Sequence, residues 1–271
     1  MYINTRWLLR GNPTANPRGG ATVDLVLTDP PYGTTNNSKD IIIPFNEMWS
    51  CIKGIRENNA PTLLFAQGLY YVDLVSSNRK EFKYDLVWDK ILTSGFLNAN
   101  RMPLRRHEQI AVFYKKLPTY HPQFTEGKPL HSKGTNYLSK KYKNQNYGEF
   151  KQTDDNRKGC TQKHPTSIIT YQKPHSSIAK HRTEKSIDML EYLIKTYTNE
   201  GDVVLDFTAG SFTTGIACQN TNRKFVGIEL DEHYYNIGVQ RMKENRERLY
   251  KINITWYNHE YKNKGNSKVQ K

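Results

Sequence analysis

Cysteine is scarce in this chain: 3 in 271 residues, at Cys51, Cys160 and Cys218, odd in number and without a C-x-x-C pair. That argues against a disulfide framework and against a cysteine-based zinc site, and it fits a reducing cytoplasm. Long apolar runs are missing as well. With a mean hydropathy of -0.79, no stretch approaches the roughly 20 residues that a membrane-spanning helix needs. Residues Met1 to Pro13 show no basic segment followed by an apolar one, so no export signal is expected. A G-x-G-x-x-G element is also absent, which disfavours a pyrophosphate dinucleotide. The length and the 36% of hydrophobic residues suffice for one large core, or for a core with a smaller inserted region.

Positive charge is in excess, and unevenly placed. The chain carries a formal +14, and residues 101–185 hold 18 Lys+Arg against 6 Asp+Glu, or +12 of it. Tyr114, Tyr120, Phe124, Tyr137, Tyr142, Tyr147 and Tyr171 are interleaved with those cations. Such a mixture suits a phosphate backbone, where each neutralised phosphate releases counterions. A solvated basic surface has the same composition, and charge alone leaves the two readings even.

The apolar run from Val23 to Thr28 reads as a buried strand, ended by Asp29-Pro30-Pro31-Tyr32, because proline cannot continue a ladder. A carboxylate, a rigid turn and an aromatic ring therefore leave together at a strand's carboxyl end, where open α/β sheets place their chemistry. A polar loop, Gly33 to Ser38, follows. Helix spacing appears at Met48, Trp49, Ile52 and Ile55, and a second helix is predicted over Tyr70 to Asn78. Strands are predicted at residues 62–66, 84–88 and 109–114, with a long connection from Thr93 to Arg106. From Lys115 to about Ser177 regular periodicity disappears. Ile187, Leu190, Ile194 and Tyr197 share one helical face, strand residues 202–206 follow, and a Gly-containing loop leads into a helix through about Asn220. Residues 224–229 read as a strand ending in an acid. A last helix is predicted from Glu232 to Arg248, with a frayed basic tail from Lys251.

Strand, glycine loop, helix, strand, acid is the grammar of a nucleotide-type cofactor site, with Glu229 lying 23 residues after Asp206, near the spacing at which an acid accepts ribose hydroxyls. An ordinary βαβ unit with a surface Glu has the same outline.

Two stretches resolve that ambiguity by resemblance. Asp29-Pro30-Pro31-Tyr32 resembles the catalytic motif of the amino-group DNA methyltransferases, and Asp206 to Gly215 resembles their S-adenosylmethionine loop. His181-Arg182-Thr183-Glu184-Lys185-Ser186 is similar in form to the family's H-P-T-Q-K-P motif, and Phe96 to Ala99 and Pro103 to Glu108 look like stretches of bacterial and phage members. Catalytic motif first, basic segment between, cofactor motif last: that order is similar to the permuted β group, mostly adenine-N6 enzymes.

The resemblance implies a Rossmann-like α/β fold: seven strands, mostly parallel, helices on both faces, plus an irregular basic insertion for target recognition. The expected division is a catalytic half over 1–114, the recognition region over 115–180, the cofactor half over 181–250 and a basic tail over 251–271. It further implies methyl transfer from S-adenosylmethionine to the N6 amine of a flipped adenine in double-stranded DNA, with no metal. Asp29 and the carbonyl of Pro30 would accept the two amine N–H bonds, Pro31 would stiffen the turn, and Tyr32 would stack on the base. Asp206, Phe207, Thr208, Ala209, Gly210 and Ser211 would hold the methionine part of the cofactor, Glu229 its ribose, and Thr183 and Lys185 its carboxylate, unless Lys185 faces solvent at a helix start. DNA contacts are expected from Arg101, Arg105, Arg106, Lys140, Lys141 and Lys143. Cytosine-N4 methylation uses the same geometry, and a cofactor-defective homologue serving as a DNA-binding partner subunit is the non-enzymatic alternative; a homodimer is a further possibility. That alternative rests on departures from the family pattern: Phe212 replaces a loop glycine, Thr5-Arg6 replaces an acid-bearing pair, and Ser38-Lys39-Asp40 lacks a Trp. The phenyl ring either enters the methionine pocket or turns into the sheet–helix interface.

Overall fold

The computed structural model describes residues 22–35, 38, 40–129, 142–144, 148–150, 159–174 and 184–266. Chain contacts divide it into two units, one made of the residues up to His121 and from Ser167 onward, the other of Pro122–Thr166.

The first unit is built on β1 (Leu25–Thr28), α1 (Phe45–Ile55), β2 (Thr62–Ala66), α2 (Gly68–Ser77), β3 (Phe82–Ser94) and β4 (Arg105–Phe113). The chain leaves for β5 (Thr125–Glu126), β6 (Tyr142–Asn144), β7 (Gly148–Phe150) and β8 (Gln162–Lys163) of the second unit. It returns as β9 (Ile168–Thr170), α3 (Ile187–Tyr197), β10 (Val203–Asp206), α4 (Thr213–Asn220), β11 (Lys224–Gly227) and α5 (Glu232–Asn266). Seven strands form one sheet in the order β11-β10-β1-β2-β4-β3-β9. β4 runs antiparallel to both neighbours, and the other neighbouring pairs are parallel.

The strand sequences explain how the sheet is covered. Successive side chains of a strand point to opposite faces, and here both faces are apolar. Leu25, Leu27, Leu63, Phe65, Ile110 and Val112 point to one side, where Met189, Leu190, Leu193 and Ile194 of α3 and Ala217 of α4 pack on them. Val26, Leu64, Ala66, Ala111 and Phe113 point to the other, against Met48, Trp49 and Ile52 of α1 and Leu74 of α2. Continuous apolar runs such as Thr62–Ala66, buried at every residue, are what a doubly covered sheet requires. No helix among the described residues is long and apolar enough to cross a membrane.

Several outlines differ from the sequence expectation. The hairpin of β3 and β4 extends to Ser94 and Arg105, so the connection between them shortens to residues 95–104, where Phe96–Asn98 form a 3-10 turn. β9 lies in the stretch expected to be irregular; with Ile169 alone buried among its three residues, it shows no period to detect. The tail expected to fray after Lys251 continues α5 to Asn266. Thr5-Arg6 lies outside the described residues. The second unit contains two antiparallel ladders, β5 with β8 and β6 with β7, and Phe124 packs on His164 with ring centroids 4.9 Å apart.

Candidate active site

β1 and β10 are parallel neighbours, with Leu25 opposite Val204 and Val26 opposite Leu205. Their carboxyl ends therefore open side by side, although Asp29 and Asp206 are 177 residues apart. One crevice of about 750 Å³ is lined by Asp29 to Tyr32, by Asp206 to Ser211 and by Glu229. The two motifs read from sequence share a wall.

At the β1 end, the Tyr32 hydroxyl donates to Asp29 Oδ1 at 2.5 Å, and the Lys185 ammonium lies 2.7 Å from Asp29 Oδ2. Lys185 also reaches Glu108 Oε2 at 3.1 Å, and Lys90 holds Glu108 Oε1 at 3.0 Å. Two carboxylates and two ammoniums thus alternate at the floor of the crevice. The ammonium of Lys185 also stands over the Phe65 ring, 4.9 Å from its centroid. Burial pushes the Asp29 carboxyl above its usual range, and the Lys185 charge pulls it back without cancelling the rise. For Glu108 burial acts the same way, but two ammoniums outweigh it and hold the group down at about 2. The Tyr32 phenol is driven well up by burial and by Asp29 beside it, and its ring packs on Tyr70 with centroids 5.0 Å apart.

After Tyr32, residues 33–35 are held by Asp40. Its carboxylate accepts from the backbone N–H groups of Gly33, Thr34 and Thr35 at 2.8–2.9 Å. Those bonds outweigh partial burial and lower its pKa. Asp40 closes the turn that follows the Asp-Pro-Pro-Tyr segment.

The β10 end is held differently. Asp206 accepts from the Thr28 hydroxyl at 2.7 Å and from the Thr214 hydroxyl at 2.6 Å. Burial raises its pKa to about 6 against those bonds. Thr208 donates from its side chain to the Asp29 carbonyl at 3.0 Å, tying the two loops together. Glu229 accepts from the backbone N–H of Gly210 at 2.7 Å and of Asp231 at 2.7 Å. Arg241 of α5 donates to the Ser211 carbonyl at 2.7 Å and pairs with Glu184 at 2.6 Å, fixing the loop from outside.

Phe212 occupies the second of the two places foreseen for it. Its side chain is fully buried and turned away from the crevice wall. It meets the rings of Phe225 and Tyr235 edge-on, at 5.7 Å each, and joins Ile216 and Met242 in a separate apolar cluster. Its backbone keeps the left-handed conformation (φ 59°) that a glycine would adopt freely. Gly238 on α5 makes the room: a Cβ there would meet Phe212 Cγ at 2.5 Å.

Other expected residues are distributed unevenly. Lys185, expected at the cofactor's carboxylate or in solvent, is 11% exposed in its side chain and engaged by Asp29 and Glu108. Arg106 is committed to Asp89 through two bonds of 2.6 and 2.7 Å, and Arg105 donates to Gln67 at 3.1 Å; both, like Arg101, remain exposed. Thr183, Lys140 and Lys141 lie outside the described residues, and of Lys143 only the backbone, in β6, is described. Sequence reasoning missed Lys90 as a site residue and gave Glu108 no role. A signal existed: Leu86, Trp88 and Lys90 fall on one face of β3, so the alternation points an ammonium inward, and Trp88 pairs with Glu108 across the hairpin. The strand then bulges. Ile91 has φ 64°, exceptional for a β-branched residue, and its N–H is taken by Asp89 at 2.9 Å.

Comparison with known proteins bears on this arrangement. The family model described as DNA methylase matches residues 23–240. The "DNA adenine methyltransferase YhdJ" of Escherichia coli (strain K12) is 25% identical over 240 residues, covering 82% of this chain and 76% of that protein. The "Type II methyltransferase M.HpaI" of Haemophilus parainfluenzae is 25% identical over 239 residues, 82% of this chain and 68% of the other. Among solved structures, that described as the M1.HpyAVI-SAM complex superposes with a TM-score of 0.53 at 22% identity, covering 82% of this chain and 89% of that one, a likeness of fold.

Proposed function

This chain belongs to the DNA methylase family, and from that premise we propose that it moves a methyl group from S-adenosylmethionine to the exocyclic N6 amine of an adenine extruded from double-stranded DNA. The observation that carries this reading is the shared crevice: Asp29-Pro30-Pro31-Tyr32 at the end of β1 faces the loop at the end of β10 across about 750 Å³, a size typical of small-molecule sites.

The residues present fit the cofactor. Each Glu229 oxygen accepts one backbone N–H, and a carboxylate has acceptor capacity beyond that, here assigned to ribose hydroxyls. The loop from Asp206 to Ser211 frames the methionine end, Phe207 supplies an apolar wall, and Phe212 stays out of the space. The bound cofactor supplies an electrophilic methyl group. The chain's own work is at the amine, whose lone pair is conjugated into the ring and poorly nucleophilic. Asp29 and the Pro30 carbonyl accept its two N–H bonds, holding the nitrogen toward tetrahedral geometry with its lone pair aimed across the crevice. The Tyr32 hydroxyl now holds Asp29 Oδ1, and moving off would open that side of the carboxylate to the amine. Leaving also frees the Tyr32 ring to stack on the base. Lys185, already serving two carboxylates, drops out of the cofactor set.

Adenine is favoured over cytosine by Asp at the first position of the motif, where Ser-Pro-Pro-Tyr would suggest cytosine, and by the similarity to an adenine methyltransferase over most of the chain. Target recognition is assigned to the basic stretch around the second unit, with Arg101 and Arg105 as further DNA contacts. The test is transfer of a labelled methyl group to genomic DNA followed by nucleoside analysis. N6-methyladenine is expected. N4-methylcytosine would overturn the choice of base, and no labelled nucleoside would overturn the activity.

A further inference from the structure

Asp29 accepts an N–H bond most strongly as a carboxylate, yet it sits at the floor of a crevice with a second carboxylate, Glu108, nearby. Two carboxylates in one buried place share a proton unless a cation separates them. The cation is on the page. The Lys185 ammonium stands between them, 2.7 Å from Asp29 Oδ2 and 3.1 Å from Glu108 Oε2, and Lys90 balances Glu108 from the far side at 3.0 Å. The side chains of Lys185, Glu108 and Lys90 are 11%, 12% and 3% exposed. Aromatic rings of Phe65 and Trp88 back the Lys185 ammonium at 4.9 and 5.8 Å, so it has little freedom to serve another anion.

Resting on the methyl-transfer reading, we propose that Lys185 is a positioning residue: bridging Asp29 to Glu108, it keeps Asp29 ionised and turned so that Oδ1, released by Tyr32, receives the substrate amine.

The groups facing Asp29 come from every side of the crevice: Tyr32 on its own loop, Tyr70 on α2, Glu108 on β4 with Lys90 of β3 paired to it, Asp206 on β10, Lys173 after β9 and Lys185 before α3. Of these, Lys185 is the cation in contact with Asp29. Lys173, half-buried near Lys90 and Lys185, has its pKa lowered by burial first and by those two charges after it. It is poorly placed to take over.

The substitutions predict opposite movements. Lys185→Met removes the bridging charge and leaves Asp29 beside an uncompensated carboxylate; its titration midpoint should rise by about one pH unit or more. Glu108→Gln removes a repelling charge and leaves Lys185 to Asp29 alone; the midpoint should fall. Lys185→Arg keeps the charge and should stay near wild type. The measurement is the Asp29 carboxyl titration in the full chain by carbon-13 NMR, with the resonance assigned from Asp29→Asn. Calorimetry with S-adenosylmethionine and the pH profile of methyl transfer accompany it. Lys185→Met should lose about 100-fold in rate near neutral pH, recover in part at alkaline pH, and bind S-adenosylmethionine within about threefold of wild type. Unmoved midpoints in both variants overturn the proposal, as does a tenfold or greater loss of cofactor affinity with the acid limb in place, which would return Lys185 to the cofactor. Should Lys185→Met fail to fold, Glu108→Gln decides alone: a fall supports the bridge, and no fall overturns it. The titration needs no turnover. A wild type that transfers no methyl group therefore sinks the preceding reading, while the midpoints still decide this one.

Discussion

Asp29 and Asp206 terminate neighbouring parallel strands, face one crevice and are both raised in pKa by burial, yet their partners are of opposite kinds. Asp29 is held by a phenol and an ammonium, the first of them on a loop that also carries its own ring into the crevice. Asp206 is held by the hydroxyls of Thr28 and Thr214 and the N–H of Thr208, which belong to the strand, helix and loop that build the wall. A group whose partners are side chains at the crevice floor can exchange one of them for a ligand. One whose partners are the scaffold cannot without deforming it. The β1 corner is made to change partners and the β10 corner to hold its shape, although the two acids look alike in sequence.

The sharpest way to break this contrast is to remove Asp29. Asp29→Ala should reduce methyl transfer by about 10³-fold or more, while DNA affinity, measured by anisotropy, stays nearly unchanged. Parallel loss of both would mean that Asp29 holds the fold together, as Asp206 does. Next in size is the scaffold of the other corner. Phe212→Ala empties a fully buried site among Phe225, Tyr235, Ile216 and Met242 and should cost about 3–5 kcal/mol in denaturant unfolding. Because the ring stands outside the crevice, S-adenosylmethionine affinity well below the transition should be unchanged; tighter binding would show that the ring does obstruct the ligand. Smaller again, Glu229→Ala should weaken S-adenosylmethionine binding about 10- to 100-fold, the worth of charge-assisted hydrogen bonds, with kcat at saturation little altered. A fall in kcat at saturating cofactor would blur the division of labour between the corners.

How much of this was legible follows the same contrast. The segments ending in Asp29 and Asp206 stand out because a doubly covered parallel strand must be apolar at every position, and a proline pair or a glycine loop marks its end. What joins them in space leaves fainter marks. The ion-pair floor draws Lys90, Glu108 and Lys185 from three segments, and its one local trace is the inward phase of Lys90 on β3. The extent of β3 was hidden by its bulge at Ile91, which interrupts the alternation where the strand turns Lys90 into the site. Phe212 reads as a defect in a glycine loop until Gly238, 26 residues later, is seen to vacate the space it fills. A substitution and its compensation on different elements are not linked by any periodicity.

The last prediction concerns a proton. Thr28 and Thr208 approach each other at 2.6 Å through their hydroxyl oxygens, Thr28 also meets Asp206 Oδ1 at 2.7 Å, and Thr208 meets the Asp29 carbonyl at 3.0 Å. Three oxygen contacts call for three hydrogens, and two hydroxyls supply two. The contact left without a hydrogen is the one between the two threonines, since Thr28 donates to Asp206 and Thr208 to the Asp29 carbonyl; burial meanwhile raises the Asp206 pKa to about 6. The sign follows from linkage. The folded pKa lies above the unfolded value, so between about 4 and 6 the folded state binds the extra proton. This group's contribution to stability is therefore fully present at the acid end of that window and is lost as pH rises through 6. Thr28→Val deletes a hydrogen bond to the carboxylate and should move the Asp206 carbon-13 titration further up, by a fraction of a unit. A fall would mean that Thr28 does not donate to the carboxylate, and a wild-type midpoint near 4 that burial does not raise Asp206.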